Sequence, residues 1–278
     1  MTLFELKRQL VQIGERLDDP MLEARVLLSY LGFSPLEQIT NKDLTVSDEI
    51  SEKAISLMKK RASGHPMAYI TGIKEFWGME FKVNENVLIP RPDTETLVET
   101  ALDIYRSQLK SGEILDLCTG SGAIATALSK ELNIDVKMGD ISPKAAGIAK
   151  ENYERLTGRI GEVRVGDLFE KWEDSKFSLI VSNPPYLTQK WCEEVDEDVQ
   201  KEPRLALLGF DEDGLGIIRR IIKESVKYLE KDGYMALECD YRQCASITTL
   251  LEIEGYSGVN IKKDLAGKDR VVYGKYNG

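Results

Sequence analysis

The chain has 278 residues, of which 42% are hydrophobic and 30% charged, and its formal net charge is -10. The length favours one large α/β domain with a smaller appendage, and no apolar run approaches the roughly 18 residues needed to cross a membrane. The acidic balance argues against a broad electrostatic grip on nucleic acid, which needs a basic face, so neither nucleic acid nor a membrane is an expected partner.

The opening MTLFELKRQLVQIGERL is amphipathic, without the uninterrupted apolar core or the small-residue cleavage site of a signal peptide, and a cytoplasmic location is the expectation. Leu3, Leu6, Leu10 and Leu17 recur at helical spacing, Asp19 before Pro20 reads as an N-cap with proline in the first helical position, and Gly32 reads as a stop. Ser47 opens another helix, SDEISEKAISLMKKRASG, with acids in its first turn, bases in its last, and Gly64 after it. Residues 1–66 therefore read as a small helical bundle with little core of its own, expected to dock on a partner. Residues 67–91 contain YITGIKEFWGMEFKVNENVLIPRP, rich in β-branched and aromatic residues around Trp77-Gly78, which predicts a β-hairpin linker. A helix pattern then runs from Pro92 to about Leu109.

Residues 92–278 alternate strand with helix. The strands are ILDLC, IDVKMGD, EVRVGD, FSLIV, YMALEC, VNIKK and RVVYGKY, and helices are predicted from about 122, from Pro143, near 214 to 229 and near 241 to 253. Alternation of this kind implies an α/β domain with a mostly parallel seven-stranded sheet covered by helices on both faces. Ligands bind such sheets beyond the carboxyl ends of the strands.

Cys118, Cys192, Cys239 and Cys244 contain no CxxC pair and read as free thiols. His65 is the one histidine, which removes multi-histidine metal sites and argues against histidine acid/base chemistry. No metal site is expected.

The first strand of this series ends in Asp116-Leu117-Cys118-Thr119-Gly120-Ser121-Gly122 and opens a helix. Gly120 and Gly122 allow a tight turn and a close approach to ligand, while the helix start presents unpaired N–H groups. Asp140 ends the next strand, placed to accept from the two hydroxyls of a ribose. Gly120 to Ala125 also fits the G-x-G-x-x-A dinucleotide pattern, so an NAD oxidoreductase stays open. Asp116 favours S-adenosylmethionine instead, because a carboxylate there repels a pyrophosphate and suits a methionyl amino group.

Ser182-Asn183-Pro184-Pro185-Tyr186 follows the apolar run FSLIV, where two prolines fix a rigid corner at the strand end. The Asn183 side chain and the Pro184 carbonyl can stand there as fixed acceptors for an NH2 group. An amide nitrogen is a poor nucleophile and no strong base is evident. The expected device is geometric: Asn183 and Pro184 hold both N–H groups and stabilise the charge that develops on nitrogen, with Tyr186 flanking the substrate.

Together, DLCTGSGAIA, GDIS, GDLF, SNPPY, LIPRPDTETLVE and EPRLAL resemble the release-factor glutamine methyltransferases, the HemK/PrmC family, from about Leu3 to Tyr276. The resemblance implies a class I, Rossmann-like S-adenosylmethionine-dependent methyltransferase domain. It also implies methylation of the glutamine side-chain amide in the Gly-Gly-Gln loop of class I peptide chain release factors. Residues Cys118, Thr119, Gly120, Ser121 and Gly122 would border the methionine part of the cofactor and Asp140 its ribose. Leu168 of GDLF would border the adenine, with neighbouring Asp167 also in the cofactor set. Asn183, Pro184, Pro185 and Tyr186 would hold the glutamine, Asn183 bordering the cofactor as well. Cys118 stands where the family commonly has glycine, Leu168 where it has tryptophan, and ECDYRQ replaces an EIGxxQ form. The stretch LLGFDEDGL lengthens a loop that is usually shorter.

Other readings of the same corner are a glutamine methyltransferase of a ribosomal protein and a methyltransferase of nucleic-acid exocyclic amines. A non-enzymatic interaction protein that keeps the fold is a further one. Arg91 and Glu95 read either as substrate-orienting groups or as a pair across a hinge, and the acids at 193, 194 and 196–198 as a solvated loop or a contact for a basic surface.

Overall fold

The computed structural model describes residues 1–278, which divide into two compact units: Met1–Ile73 with Asp196–Lys201, and Lys74–Val195 with Glu202–Gly278. The first is helical, with α1 (Leu3–Ile13), α2 (Pro20–Tyr30), α3 (Glu37–Thr40), α4 (Asp48–Ala62) and α5 (Met67–Thr71). Thr2 and Glu5 form a capping box on α1, Asp19 caps α2 ahead of Pro20, and Ser47 caps α4, so local sequence sets where each of these begins. Leu3, Leu6, Leu10, Leu27, Ala54 and Met58 form its buried core. Arg61 holds Glu23 at 2.8 Å and lies 3.6 Å from Asp198, so part of the acidic run is engaged within this unit. His65 follows the helix stop at Gly64, its Nδ1 3.3 Å from the Ser63 hydroxyl.

The second unit opens with a hairpin, β1 (Ile73–Phe76) and β2 (Met79–Lys82), turning at Trp77-Gly78. After a short 3-10 turn at Pro92–Thr94 come α6 (Glu95–Ile104), β3 (Ile114–Leu117), α7 (Ala123–Leu132), β4 (Lys137–Asp140), α8 (Pro143–Thr157), β5 (Val163–Val165) and β6 (Phe177–Ser182). Then follow α9 (Gln189–Glu194), α10 (Arg204–Leu207), α11 (Gly216–Ser225), β7 (Leu229–Glu238), α12 (Cys244–Ile253), β8 (Tyr256–Lys263) and β9 (Asp269–Tyr276). The sheet order is β5-β4-β3-β6-β7-β9-β8, parallel as far as β7, with β9 and β8 antiparallel. This is the mostly parallel seven-stranded sheet the alternation implied.

Side chains alternate across the sheet and feed two cores. Ile114, Leu179, Val181, Ala236 and Val271 meet the hairpin and α6 to α8 on one face, while Leu115, Leu117, Ile180, Met235 and Leu237 meet α11 and α12 on the other. Two elements differ from the sequence reading. The pattern near 214 to 229 is helical only to Ser225, and residues 67–71 form helix, not strand. No helix is long and apolar enough to cross a membrane.

Candidate active site

The register brings three strand ends together. Leu117 of β3 pairs with Gly139 of β4 and with Ser182 of β6, so the turn after β3 lies between Asp140 and Asn183. A cavity of about 430 Å³ opens there in the second unit, with Gly120, Asp140, Leu168, Asn183 and Pro185 in its wall.

The turn is held by its own backbone and by two acids. Gly122 donates to the Thr119 carbonyl at 2.8 Å, Thr119 donates to the Gly139 carbonyl at 3.1 Å, and Gly120 donates to Asp140 Oδ2 at 2.9 Å. Asp140 Oδ1 accepts from Ser142 N–H at 2.9 Å. Burial raises the pKa of Asp140 against these bonds, which favour its charged form. Asp116 is fully buried and does not line the cavity. Its Oδ2 accepts from the Thr119 hydroxyl at 2.6 Å and from Ala125 N–H at 3.2 Å, while Oδ1 is buried with no partner. Desolvation pushes its pKa up to about 7, opposed by those two hydrogen bonds.

Gly120 and Gly122 do different things. A Cβ on Gly122 would stand 3.0 Å from the Cα and carbonyl oxygen of Ala149, so this glycine lets α8 approach the turn. A Cβ on Gly120 would meet nothing closer than the Cys118 carbonyl at 4.0 Å, so its missing side chain leaves cavity space. Cys118 (φ 58°) and Leu168 (φ 49°) are non-glycine residues in the left-handed region, a conformation that costs about 1 to 2 kcal/mol. Burial first and the Asp140 charge next push the Cys118 thiol upward. Asp167 also lines the cavity, where it pairs with Arg220 at 2.9 Å.

At the corner, Asn183 Nδ2 donates to the Thr94 hydroxyl at 3.2 Å, and Asn183 Oδ1 is buried without a partner. Pro184 is buried, and Tyr186 directs its hydroxyl to Glu238 Oε1 at 3.5 Å. Burial, then the Glu238 charge, raise the Tyr186 pKa, and burial pushes Glu238 up to about 7. From outside, Gln243 Nε2 donates to the Tyr186 carbonyl at 2.8 Å and the Asp213 carbonyl at 2.7 Å. The loop LLGFDEDGL supplies Gly214, whose added Cβ would lie 2.2 Å from the Tyr186 carbonyl oxygen. Phe210 of that loop lines the cavity while half exposed.

Of the residues singled out in the sequence, Cys118, Thr119, Gly120, Ser121, Asp140, Asp167, Leu168, Asn183 and Pro185 line one cavity. Asp116, Gly122, Pro184 and Tyr186 support it without lining it. Sequence reasoning gave no role to Thr94, Ile141, Glu238 or Gln243. Ile141, an apolar residue half exposed directly after Asp140, carried a readable signal for an apolar ring. Arg91 pairs with the buried Glu202 of EPRLAL, which also accepts from Ile89 N–H at 2.9 Å, and Glu95 accepts from Trp77 N–H at 3.1 Å. Arg91 and Glu95 thus bond to other partners and not to each other.

These features fit an adenosine cofactor with a cationic amino acid tail. Asp140 keeps acceptor lone pairs beyond its two loop bonds, Ile141 and Leu168 offer apolar contacts for a ring, and Asp116 Oδ1 is an acceptor still unmatched.

Residues 3–72 match the family described as PrmC N-terminal domain, and residues 93–202 the family described as Methyltransferase small domain. The Vibrio cholerae release factor glutamine methyltransferase is 42% identical over 275 residues, covering 96% of this chain and 93% of that protein. The Neisseria gonorrhoeae release factor glutamine methyltransferase is 39% identical over 261 residues, covering 92% and 94%. A crystal structure of the hMettl16 catalytic domain with MAT2A 3'UTR hairpin 6 has a TM-score of 0.59 at 16% identity, covering 95% of this chain and 94% of that one, which shows the shared fold. With relatives this similar over nearly its whole length, the chain belongs to the family of release factor glutamine methyltransferases.

Proposed function

We propose that this enzyme transfers a methyl group from S-adenosylmethionine to the side-chain amide nitrogen of the glutamine in the Gly-Gly-Gln motif of class I peptide chain release factors. The observation that carries the reading is Asn183 Oδ1, a buried acceptor without a partner at the wall of the cavity, its amide held from behind by Thr94. A buried acceptor left unmatched costs about 1 to 3 kcal/mol, a deficit that an incoming NH2 group removes.

When bound, S-adenosylmethionine supplies an electrophilic methyl group on a sulfonium. Asp140 would hold its ribose hydroxyls, Leu168 with Ile141 its adenine, and the turn Cys118 to Gly122 its amino acid tail, with the buried Asp116 carboxyl behind that turn. Asn183 Oδ1 and the Pro184 carbonyl would accept the two N–H groups of the glutamine. Held that way, the nitrogen can become tetrahedral, and the two oxygens stabilise its developing positive charge. Pro185 walls the pocket, and Tyr186, locked by Glu238 and Gln243, keeps the corner from relaxing. In this reading residues 1–66 bind the release factor, 67–91 link, and 92–278 carry out the chemistry, in the cytoplasm.

The test is to incubate the purified protein with labelled S-adenosylmethionine and a class I release factor, in parallel with a ribosomal protein fraction and with nucleic acid. The expected result is label on the release factor, with mass spectrometry finding one methyl group on the Gly-Gly-Gln peptide. Label confined to ribosomal protein or nucleic acid would end this reading.

A further inference from the structure

One wall of the cavity comes from the segment after α10, and that segment is fastened to the asparagine-proline corner. Leu187 N–H donates to the Leu207 carbonyl at 2.9 Å, and Gly209 N–H donates to the Leu187 carbonyl at 3.0 Å, so Phe210 directly follows a main-chain bond to the corner. The glycines around it leave no slack. A Cβ on Gly209 would overlap the Gly214 carbonyl and stand 2.9 Å from Tyr186 Cα, and one on Gly216 would stand 2.9 Å from the Gly209 carbonyl oxygen. Gly214 and Gln243 close the loop on the Tyr186 carbonyl.

Phe210 does not suit its place as a structural residue. Its φ is 60° and that of Asp211 is 34°, two successive non-glycine residues in the left-handed region, which side chains with a Cβ resist. The ring is 50% exposed and belongs to none of the buried cores. Strain kept at a cavity wall points to a use for the side chain there. The sheet order says which ligand it meets. Asp140, Ile141 and Leu168, the ribose and adenine side, follow β4 and β5 on one flank of β3, whereas the loop of Phe210 is bonded to the chain that leaves β6 on the other flank. The ring therefore stands at the substrate end, and α11 carries the wall on toward the cofactor side, where Arg220 pairs with Asp167.

We propose that Phe210 is a specificity-determining residue: its ring lies against the main chain beside the target glutamine and admits that glutamine where the residue before it is glycine. This deepens the proposed amide methylation and rests on it. To bring its amide to Asn183 Oδ1, a glutamine side chain must enter the cavity while its own backbone stays at the mouth. The residue before it then passes the fixed ring. Glycine offers a bare main chain that can lie on a phenyl face, as the Gly-Gly-Gln motif of the proposed substrate does. Any side chain there meets a wall that Gly209, Gly214 and Gly216 keep from yielding, and a clash built against the wrong partner is one source of selectivity.

The experiment uses the full chain, Phe210→Asn and Phe210→Tyr, with two substrates: a class I release factor and the same protein carrying Gly-Ala-Gln in place of Gly-Gly-Gln. The parent should prefer Gly-Gly-Gln about 10- to 100-fold in kcat/KM, the size of one misplaced methyl group. In Phe210→Asn that ratio should narrow about tenfold, because whatever the alanine does to the release factor itself is common to both enzymes and cancels. Phe210→Tyr keeps the ring and should keep the ratio. Asparagine tolerates the left-handed backbone, so Phe210→Asn should melt at or above the parent temperature with S-adenosylmethionine affinity unchanged. The same ratio in the parent and in Phe210→Asn would overturn the proposal, as would a narrowed ratio in Phe210→Tyr. A Phe210→Asn protein that melts earlier would make Phe210 structural, and one that loses cofactor affinity would move the ring to the cofactor; either result overturns it as well. A parent that transfers no methyl to release factor removes the proposed function and this inference with it, whereas transfer with an unchanged ratio removes the inference alone.

Discussion

Gln243 Nε2 donates to the Tyr186 carbonyl at 2.8 Å, tying the residue just ahead of α12 to the far end of the asparagine-proline corner. The same nitrogen donates to the Asp213 carbonyl at 2.7 Å, and Gln243 is only 3% exposed. Gln243→Ala therefore leaves two carbonyls without their donor, and it should destabilise the protein by about 2 to 4 kcal/mol. Methyl transfer should fall about tenfold as the corner loosens, while S-adenosylmethionine affinity stays at the parent level. Chemical unfolding and equilibrium dialysis of labelled cofactor check the two parts. Weakened cofactor binding would contradict the separation drawn between the corner and the glycine turn.

Asn183→Ala removes the unmatched acceptor itself. A preorganised polar partner of a developing charge is commonly worth on the order of 100- to 1000-fold in turnover, and that loss is the expectation here. The bond to Thr94 is lost as well, but it is a single hydrogen bond at the cavity wall, so the fold should survive. Single-turnover rates with saturating cofactor measure the effect. Parental rates would remove Asn183 from the mechanism.

The catalytic domain was legible because its signals are local. Pro143 after Ser142 marks a helix start, FSLIV is a short apolar run that becomes a strand buried on both faces, and the glycine turn and Asp140 sit at strand ends as their neighbours dictate. Where local and tertiary preferences disagree, the reading failed. Tyr69, Ile70 and Thr71 have strand propensity, yet Pro66 starts a short helix that buries Ile70. β7 begins at Leu229, but Glu230, Lys231 and Asp232 break its apolar pattern, so only its second half looked like a strand.

The site was legible only in part, for the same reason. Thr94 and Asn183 touch across 89 positions of sequence, and Gln243 and Tyr186 across 57. No spacing rule connects such pairs. Asp116 read as a carboxylate facing a cation. In the fold one of its oxygens is bound to the turn and the other is buried, so its electrostatics depend on a burial that sequence does not display.

Glu238 gives a pH dependence of stability with a definite sign. Its pKa rises from an ordinary 4.5 to about 7, chiefly through burial. The folded state therefore holds this proton more tightly than the unfolded state, so the contribution to stability is full below 4.5 and is lost as pH rises through about 7. Replacing Glu238 by Gln removes that dependence. The stability difference between about pH 5 and about pH 8 should be smaller in Glu238→Gln than in the parent by on the order of 2 kcal/mol, with other titrating groups cancelling in the comparison. Urea unfolding at the two pH values measures it. Equal differences in both proteins would mean that Glu238 titrates near its ordinary value.

The two glycines of the turn should separate fold from ligand. Both have positive φ, 56° at Gly120 and 78° at Gly122, so alanine at either position meets a left-handed backbone cost of about 1 kcal/mol. At Gly122 the new Cβ also meets the Ala149 backbone at 3.0 Å, where α8 must shift, and overpacking of this kind adds about 1 to 3 kcal/mol. Gly122→Ala should thus be destabilised by about 2 to 4 kcal/mol, and Ala149→Gly should not rescue it, because the clash is with main-chain atoms. At Gly120 the Cβ enters open space in the cavity wall, so Gly120→Ala should keep most of its stability and lose S-adenosylmethionine affinity instead. Thermal unfolding and cofactor titration of the pair are read together. A Gly120→Ala protein that binds cofactor as the parent does would show that the ligand does not reach this part of the turn.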